Sequence, residues 1–189
     1  LKKPTADHKV FANFRPVSNL KHLSKLIEKA VAVQLNDHLA RNDLHVPFQS
    51  AYRSCHSTES ALMRVHNDIM ISLDIGNSVI LVLLDLSAAF DTVNHDLLLS
   101  RLEKRFGITG TVLNWFKSYL CSRSQFVSIN QSHSTKRDLL VGVPQGSVLG
   151  PLLYLLYTAP ISDVIANRQL NYHLYVDDTQ LYLAFKTNH

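Results

Sequence analysis

The stretch YHLYVDDTQLYLAF, positions 172–185, sets two aspartates, Asp177 and Asp178, between two runs rich in β-branched, aromatic and aliphatic residues. Strand-like runs joined by a two-residue polar link read as a β-hairpin, which commits the chain to an antiparallel sheet pairing near its end. Aspartate is an ordinary turn former, because its side chain bonds nearby backbone and tolerates unusual dihedrals. Placed together at a hairpin tip, two carboxylates also offer hard oxygen ligands to a metal ion.

The remaining elements follow from periodicity. Leu23, Leu26, Ile27, Ala30, Val31, Leu35 and Leu39 keep a helical spacing, with Ser18 or Asn19 near the start. A second helix is expected over HSTESALMRVHNDIMISLDIG, capped by Ser57 or Thr58, favoured by Glu59 in its first turn and ended by Gly76. VILVLLD, 79–85, is a continuous apolar run too short for a buried helix, and reads as a central strand ending in Asp85. HDLLLSRLEKRF, capped by Asn94 and stopped by Gly107, and TVLNWFKSYL, anchored by Trp115, Phe116 and Tyr119, are two further helices. SQFVSIN and KRDLLVGV suggest a hairpin across the polar QSHST, and GVPQGSVLGP is a loop leading into the buried helix LLYLLY. Helices, strand, helices, hairpin, helix, hairpin is an α+β order.

At 189 residues and 46% hydrophobic, with a mean hydropathy of +0.01, the chain suits one domain with a real core. A net charge of +4 and a pI near 9.1 are compatible with a polyanionic partner without demanding one. Cys55 and Cys121 lack metal-ligand spacing, which argues against disulfide scaffolds and zinc modules and leaves two free thiols. No run reaches the ~18 apolar residues of a membrane span, and LKKPTADHKVF lacks the apolar core of a signal peptide. The expectation is a soluble, intracellular chain with no membrane partner. Both ends read as cuts through something larger.

Asp85 is the harder carboxylate to explain as scaffolding. Asp91 and Asp96 in LLDLSAAFDTVNHD suit a helix N-terminus, but a charge emerging from a six-residue apolar run is costly unless something positive meets it. In GVPQGSVLGP, Gln145 alone carries an amide able to donate and accept, although the loop also reads as a plain strand-to-helix turn. Taken in order, LLDLSAAFDTVNH, GVPQGSVLGPLLY and YVDDTQLYL resemble motifs A, B and C of reverse transcriptases. FRPVSNLKHLSKLIEKAV and FQSAYRSCHSTESAL extend the resemblance to the enzymes of non-LTR, LINE-like retrotransposons of the jockey type, over nearly the whole chain.

The resemblance implies a right-hand polymerase, an RNA-directed DNA polymerase with fingers roughly 1–76 and 108–144 and palm roughly 77–107 and 145–189. It implies two Mg²⁺ ions, with Mn²⁺ as a possible substitute, held by Asp85 and Asp177 with Asp178 nearby and the backbone carbonyl of Leu86 as a further ligand. Arg15 matches a triphosphate-contacting arginine of the fingers, and Lys2 or Lys3 a second phosphate-binding group. Backbone amides of Ala88 and Ala89 match the triphosphate cradle, Phe90 the aromatic gate under the sugar, and Gln145 with Gly146 the nucleotide pocket. Tyr175 matches a residue placing the primer end. Expected partners are an RNA template, a DNA primer and deoxynucleoside triphosphates, with the thumb and an endonuclease region outside the chain. AYR departs from the GFR of many relatives, Ala51 replacing a glycine in a template-contacting loop. The competing readings are a non-catalytic or decayed nucleic-acid-binding remnant and a metal-dependent nuclease; Gln145 and Phe90, suited to nucleotide selection, argue against the nuclease.

Overall fold

A computed structural model describes residues 17–86, 88–129 and 132–186. Helix α1, His22–Arg41, begins three or four residues beyond the start expected near Ser18 or Asn19, and the Ser18 amide donates to the Gln145 carbonyl at 2.8 Å, which holds this segment along the 145 loop. Its inward face is also rotated. Glu28, Ala32, Leu35 and Leu39 are buried, whereas Leu23, Leu26 and Ile27 of the expected stripe are exposed. The reason is chemical: the Glu28 carboxylate accepts from the Val148 and Leu149 amides at 2.7 and 3.2 Å. A buried charge takes the inward position where it satisfies a helix N-terminus.

Helix α2, Thr58–Asp74, starts with a reciprocal cap in which the Ser60 amide donates to the Ser57 hydroxyl and the Ser57 amide to the Ser60 hydroxyl. Helices α3, His95–Lys104, and α4, Gly110–Leu120, lie where their periodicity put them, and the Asn94 side chain caps α3 by accepting from the Leu97 amide. Helix α5, Leu149–Thr158, runs on into α6, Pro160–Ala166, which the sequence pattern had not separated. Proline at the first helical position is its signature. Leu98 and Leu102 of α3, Phe116 and Leu120 of α4, and Leu149, Leu153 and Tyr154 of α5 are almost wholly buried and form the centre of the core. The window Leu149–Ala166 reaches the length and mean hydropathy of a membrane span, unlike what reading run by run suggested, and half of it is buried in this core.

Three strands form the main sheet: β1, Ser78–Leu84, then β6, Asn171–Tyr175, and β7, Asp178–Phe185, all antiparallel, in the order β1-β7-β6. β1 is therefore an edge strand and not the central one its apolar run implied; β7 is central. Ile80 to Leu84 are each more than 40% exposed. The core is built by α1, α3, α4, α5 and α6 with Tyr172 and Leu174 of β6, and none of the apolar residues of β1 belongs to it. Between α4 and α5 the expected hairpin forms in two short steps. β2, Arg123–Gln125, pairs with β5, Arg137–Leu139, and β3, Ser128–Ile129, pairs with β4, Ser132–His133, so part of the presumed QSHST connection is itself strand.

Candidate active site

The register brings the distant carboxylates to one end of the sheet. Leu84 pairs with Thr179 across β1 and β7, and Tyr175 pairs with Asp178 across β6 and β7, so Asp85 leaves β1 where β6 turns into β7. The turn itself is Val176–Asp177, one residue earlier than the Asp177–Asp178 link read from the sequence, and Asp178 opens β7. Val176 has φ 58°, a left-handed conformation that a branched side chain resists, at a cost of roughly 1–3 kcal/mol.

The loop 46–52 holds this turn from behind. Leu174 donates to the Phe48 carbonyl at 2.8 Å and its own carbonyl accepts from the Ser50 amide at 3.1 Å. The buried Gln49 side chain accepts from the Ala51 amide at 2.9 Å and the Val176 amide at 3.4 Å. Ala51, the departure from glycine, is 1% exposed, so it is part of this buried brace. Nothing in sequence spacing pairs positions near 49 with positions near 176, and Gln49 was missed for that reason.

Electrostatics tie the acidic residues together. Burial, then Asp177 and Asp85, raise the Asp178 pKa above the usual carboxylate value. Burial, then Asp177 and Asp85, push the Tyr154 hydroxyl up to about 12. Tyr52 is raised by burial, Tyr175 and Asp177, which places it beside the predicted primer-end tyrosine. Among the described residues no three His, Cys, Asp or Glu side chains close into a ready-made metal-binding group. The donor set nevertheless fits a hard divalent cation: all ligating atoms are oxygens, and mutual repulsion is what a cation would relieve.

Motifs A and B are stitched into one surface. Val143 donates to the Phe90 carbonyl at 2.8 Å, Gly142 to the Val93 carbonyl at 2.7 Å, and His95 Nε2 lies 2.8 Å from the Gly142 carbonyl. A Cβ on Gly142 would lie 3.1 Å from the Asp91 carbonyl oxygen, and its φ is 91°, so glycine is required twice over. Phe90 and Asp91 sit in a short 3-10 turn, Ala89–Asp91, entered through Ala88 with φ 54°. Ala88 is exposed, Ala89 is buried, and Leu86 is 42% exposed beside Asp85. The Phe90 ring packs on the buried Tyr154 ring with centroids 4.8 Å apart. Gln145 Nε2 donates to both carboxylate oxygens of Asp91, at 3.0 and 2.9 Å. Gly146 follows with φ 94°. A cleft of about 450 Å³ opens there, lined by Asp91, Arg123, Asp138 and Gln145 among others.

Of the expected site residues, Asp85, Asp177 and Asp178 gather at the sheet end with Tyr175, and Phe90, Gln145 and Gly146 on the adjoining loops. Arg15, Lys2 and Lys3 lie outside the described residues. Asp91, Tyr154, Gln49 and Tyr52 were not singled out by the sequence. Asp91 had an adequate reading as an acidic residue favouring a helix N-terminus, and Tyr154 read only as part of an apolar helix.

An antiparallel sheet carrying acidic residues on its hairpin, with packing helices beneath, is the fingers–palm fold of a polymerase. The chain belongs to the reverse transcriptase (RNA-dependent DNA polymerase) family, which matches residues 1–189. It is 37% identical over 159 residues, 84% of this chain, to a probable RNA-directed DNA polymerase from transposon BS of Drosophila melanogaster. It is 32% identical over 184 residues, 93% of this chain, to the RNA-directed DNA polymerase from the mobile element jockey of the same organism. The chain spans 17% and 19% of the length of these two relatives. Among solved structures, apo telomerase from Candida tropicalis, truncated from its C-terminal domain, superposes with a TM-score of 0.61 at 14% identity, over 84% of this chain and 34% of that one. Telomerase from Candida albicans gives 0.60 at 11% identity, over 85% and 30%.

Proposed function

We propose that the chain is the fingers–palm portion of an RNA-directed DNA polymerase of a non-LTR retrotransposon, adding deoxynucleotides to a primer 3′-hydroxyl opposite an RNA template. The observation that carries this reading is the convergence of Asp85 with the Asp177–Asp178 hairpin at one sheet end, beside the Gln145 loop. The fingers comprise roughly 1–76 and 108–144 and the palm the remainder.

Asp85 and Asp177 would hold two Mg²⁺ ions, with Asp178 adding negative charge and the Leu86 carbonyl a further oxygen. When bound, the ions supply positive charge that acidifies a primer hydroxyl and offsets the charge of departing pyrophosphate. The protein's own work is placement. Phe90, backed by the Tyr154 ring, presents a face that a ribose 2′-hydroxyl would strike. Gln145 borders the cleft in which the incoming nucleotide would sit, with Gly146 next to it in the loop, and Tyr175 lies next to the turn where the primer end would meet Asp177. Arg15 would clamp the triphosphate through its planar guanidinium.

Primer extension on an RNA template with Mg²⁺ and deoxynucleotides, comparing the chain with Asp85→Asn, tests the reading. Incorporation by the parent and a loss of about 100-fold or more in the variant is expected, the scale of losing a principal charge-stabilising group. Extension that is indifferent to Asp85→Asn would sink the catalytic assignment. Salt-sensitive RNA binding without incorporation would identify a binding remnant instead.

A further inference from the structure

We propose that Asp91 is a positioning residue that fixes the orientation of the Gln145 amide, so that Gln145 presents its carbonyl oxygen, an acceptor, to the incoming nucleotide. This rests on the polymerase reading above. The Gln145 backbone is already held on both sides. Its carbonyl accepts from Ser18 at 2.8 Å, and Val143, two residues earlier, is bonded to the Phe90 carbonyl at 2.8 Å. Gly142 packs so closely on the Asp91 backbone that a single added Cβ would lie 3.2 Å from its Cα. The side chain is still free to rotate about its own bonds, and the last of these is soft and roughly two-fold.

Asp91 removes that freedom. Its two oxygens lie 3.0 and 2.9 Å from the same amide nitrogen, and an ionised carboxylate can only accept. The nitrogen must therefore face Asp91, and the chemistry of the pair, not a choice between similar atoms, fixes which end of the amide points away. Both residues line the cleft of about 450 Å³, a volume suited to a small ligand. The nucleotide group that meets Gln145 is accordingly a hydrogen-bond donor. Without Asp91 the amide offers nitrogen or oxygen indifferently, and part of the binding energy goes into ordering it.

The test is a double-substitution cycle on the whole chain, read as KM for deoxynucleoside triphosphate and kcat separately. Asp91→Leu should raise KM roughly three- to tenfold, the worth of a net hydrogen bond, with kcat less affected. Asp91→Asn, able to turn its amide oxygen to the same nitrogen, should recover most of the loss. In a Gln145→Ala background Asp91→Leu should add nothing. Multiplying effects, or an Asp91→Leu variant that melts earlier with KM unchanged, would overturn the proposal by giving Asp91 a structural role alone. A second readout does not depend on catalysis: the side-chain ¹⁵N–¹H₂ resonances of Gln145, identified by their loss in Gln145→Ala, should move toward a free amide's position in Asp91→Leu. If the parent makes no DNA, the polymerase reading falls, and an unmoved Gln145 amide would separately dispose of the latch.

Discussion

His173 lies in the middle of β6, 4% exposed, with Nε2 2.9 Å from the Ser50 hydroxyl and Nδ1 without a partner among the described residues. A protonated ring would need a second acceptor that the site lacks. Burial, with Arg64 and His56 nearby, lowers its pKa from the ordinary 6.5, against a weaker opposing pull from Asp68. With the folded pKa depressed, the contribution to stability is complete above pH 6.5 and is lost as pH falls through the folded value. Urea melts of the parent should therefore weaken between neutral and mildly acidic pH by more than those of His173→Gln, which keeps a Ser50 partner and does not titrate; parallel curves would refute this. Gly150, in the first turn of α5, packs hard against the 145 loop, since a Cβ there would lie 2.6 Å from the Ser147 hydroxyl and 2.8 Å from the Pro144 carbonyl oxygen. Gly150→Ala should cost about 1–3 kcal/mol in denaturant melts, as overpacking does.

Helix α5 carries the loop's downstream end; Ser147 accepts from its Gly150 amide at 2.8 Å, and the remaining capping comes from another element. Val148, at the cap position, bonds nothing through its own side chain, and Glu28 of α1 takes the Val148 and Leu149 amides instead. Glu28→Ala should destabilise the fold by about 2–3 kcal/mol, the range for a charged hydrogen-bonded group removed from buried donors, and a loss below about 0.5 kcal/mol would show that α5 does not need it. This contact also explains what the sequence concealed about α1. Periodicity located the helix correctly, but a hydrophobic count cannot foresee that a glutamate outranks Leu23 and Ile27 for the inward face. The caps of α2 and α3 were legible because Ser57 and Asn94 act on their own helices within three residues. α5 was legible as a buried helix, and so was the part of its cap that Ser147 supplies three residues before Gly150; the part from Glu28 was not, being about 120 positions away.

Over the whole molecule, chain order revealed more than any local pattern. The three acidic and glycine-rich segments were readable as a set; the sheet brings the two acidic ones to one end and loop hydrogen bonds attach the glycine-rich one, yet those bonds run between residues with no common spacing. β1 shows the opposite failure: its apolar run named a strand and misplaced it, since the core forms among the helices and β6. With Ile80 to Leu84 exposed on an edge strand, the isolated chain should self-associate at micromolar concentration, and Leu83→Lys should reduce that in light scattering without altering circular dichroism. The brace behind the Val176 turn has a further consequence for how the protein is made. Gln49 leaves the ribosome well over a hundred residues before Val176, so the loop that holds the strained turn is synthesised long before the turn exists. A nascent chain thus carries Asp85 and the Gln145 loop for some time with no hairpin to face them, and the acidic site comes into being only when β6 and β7 pair.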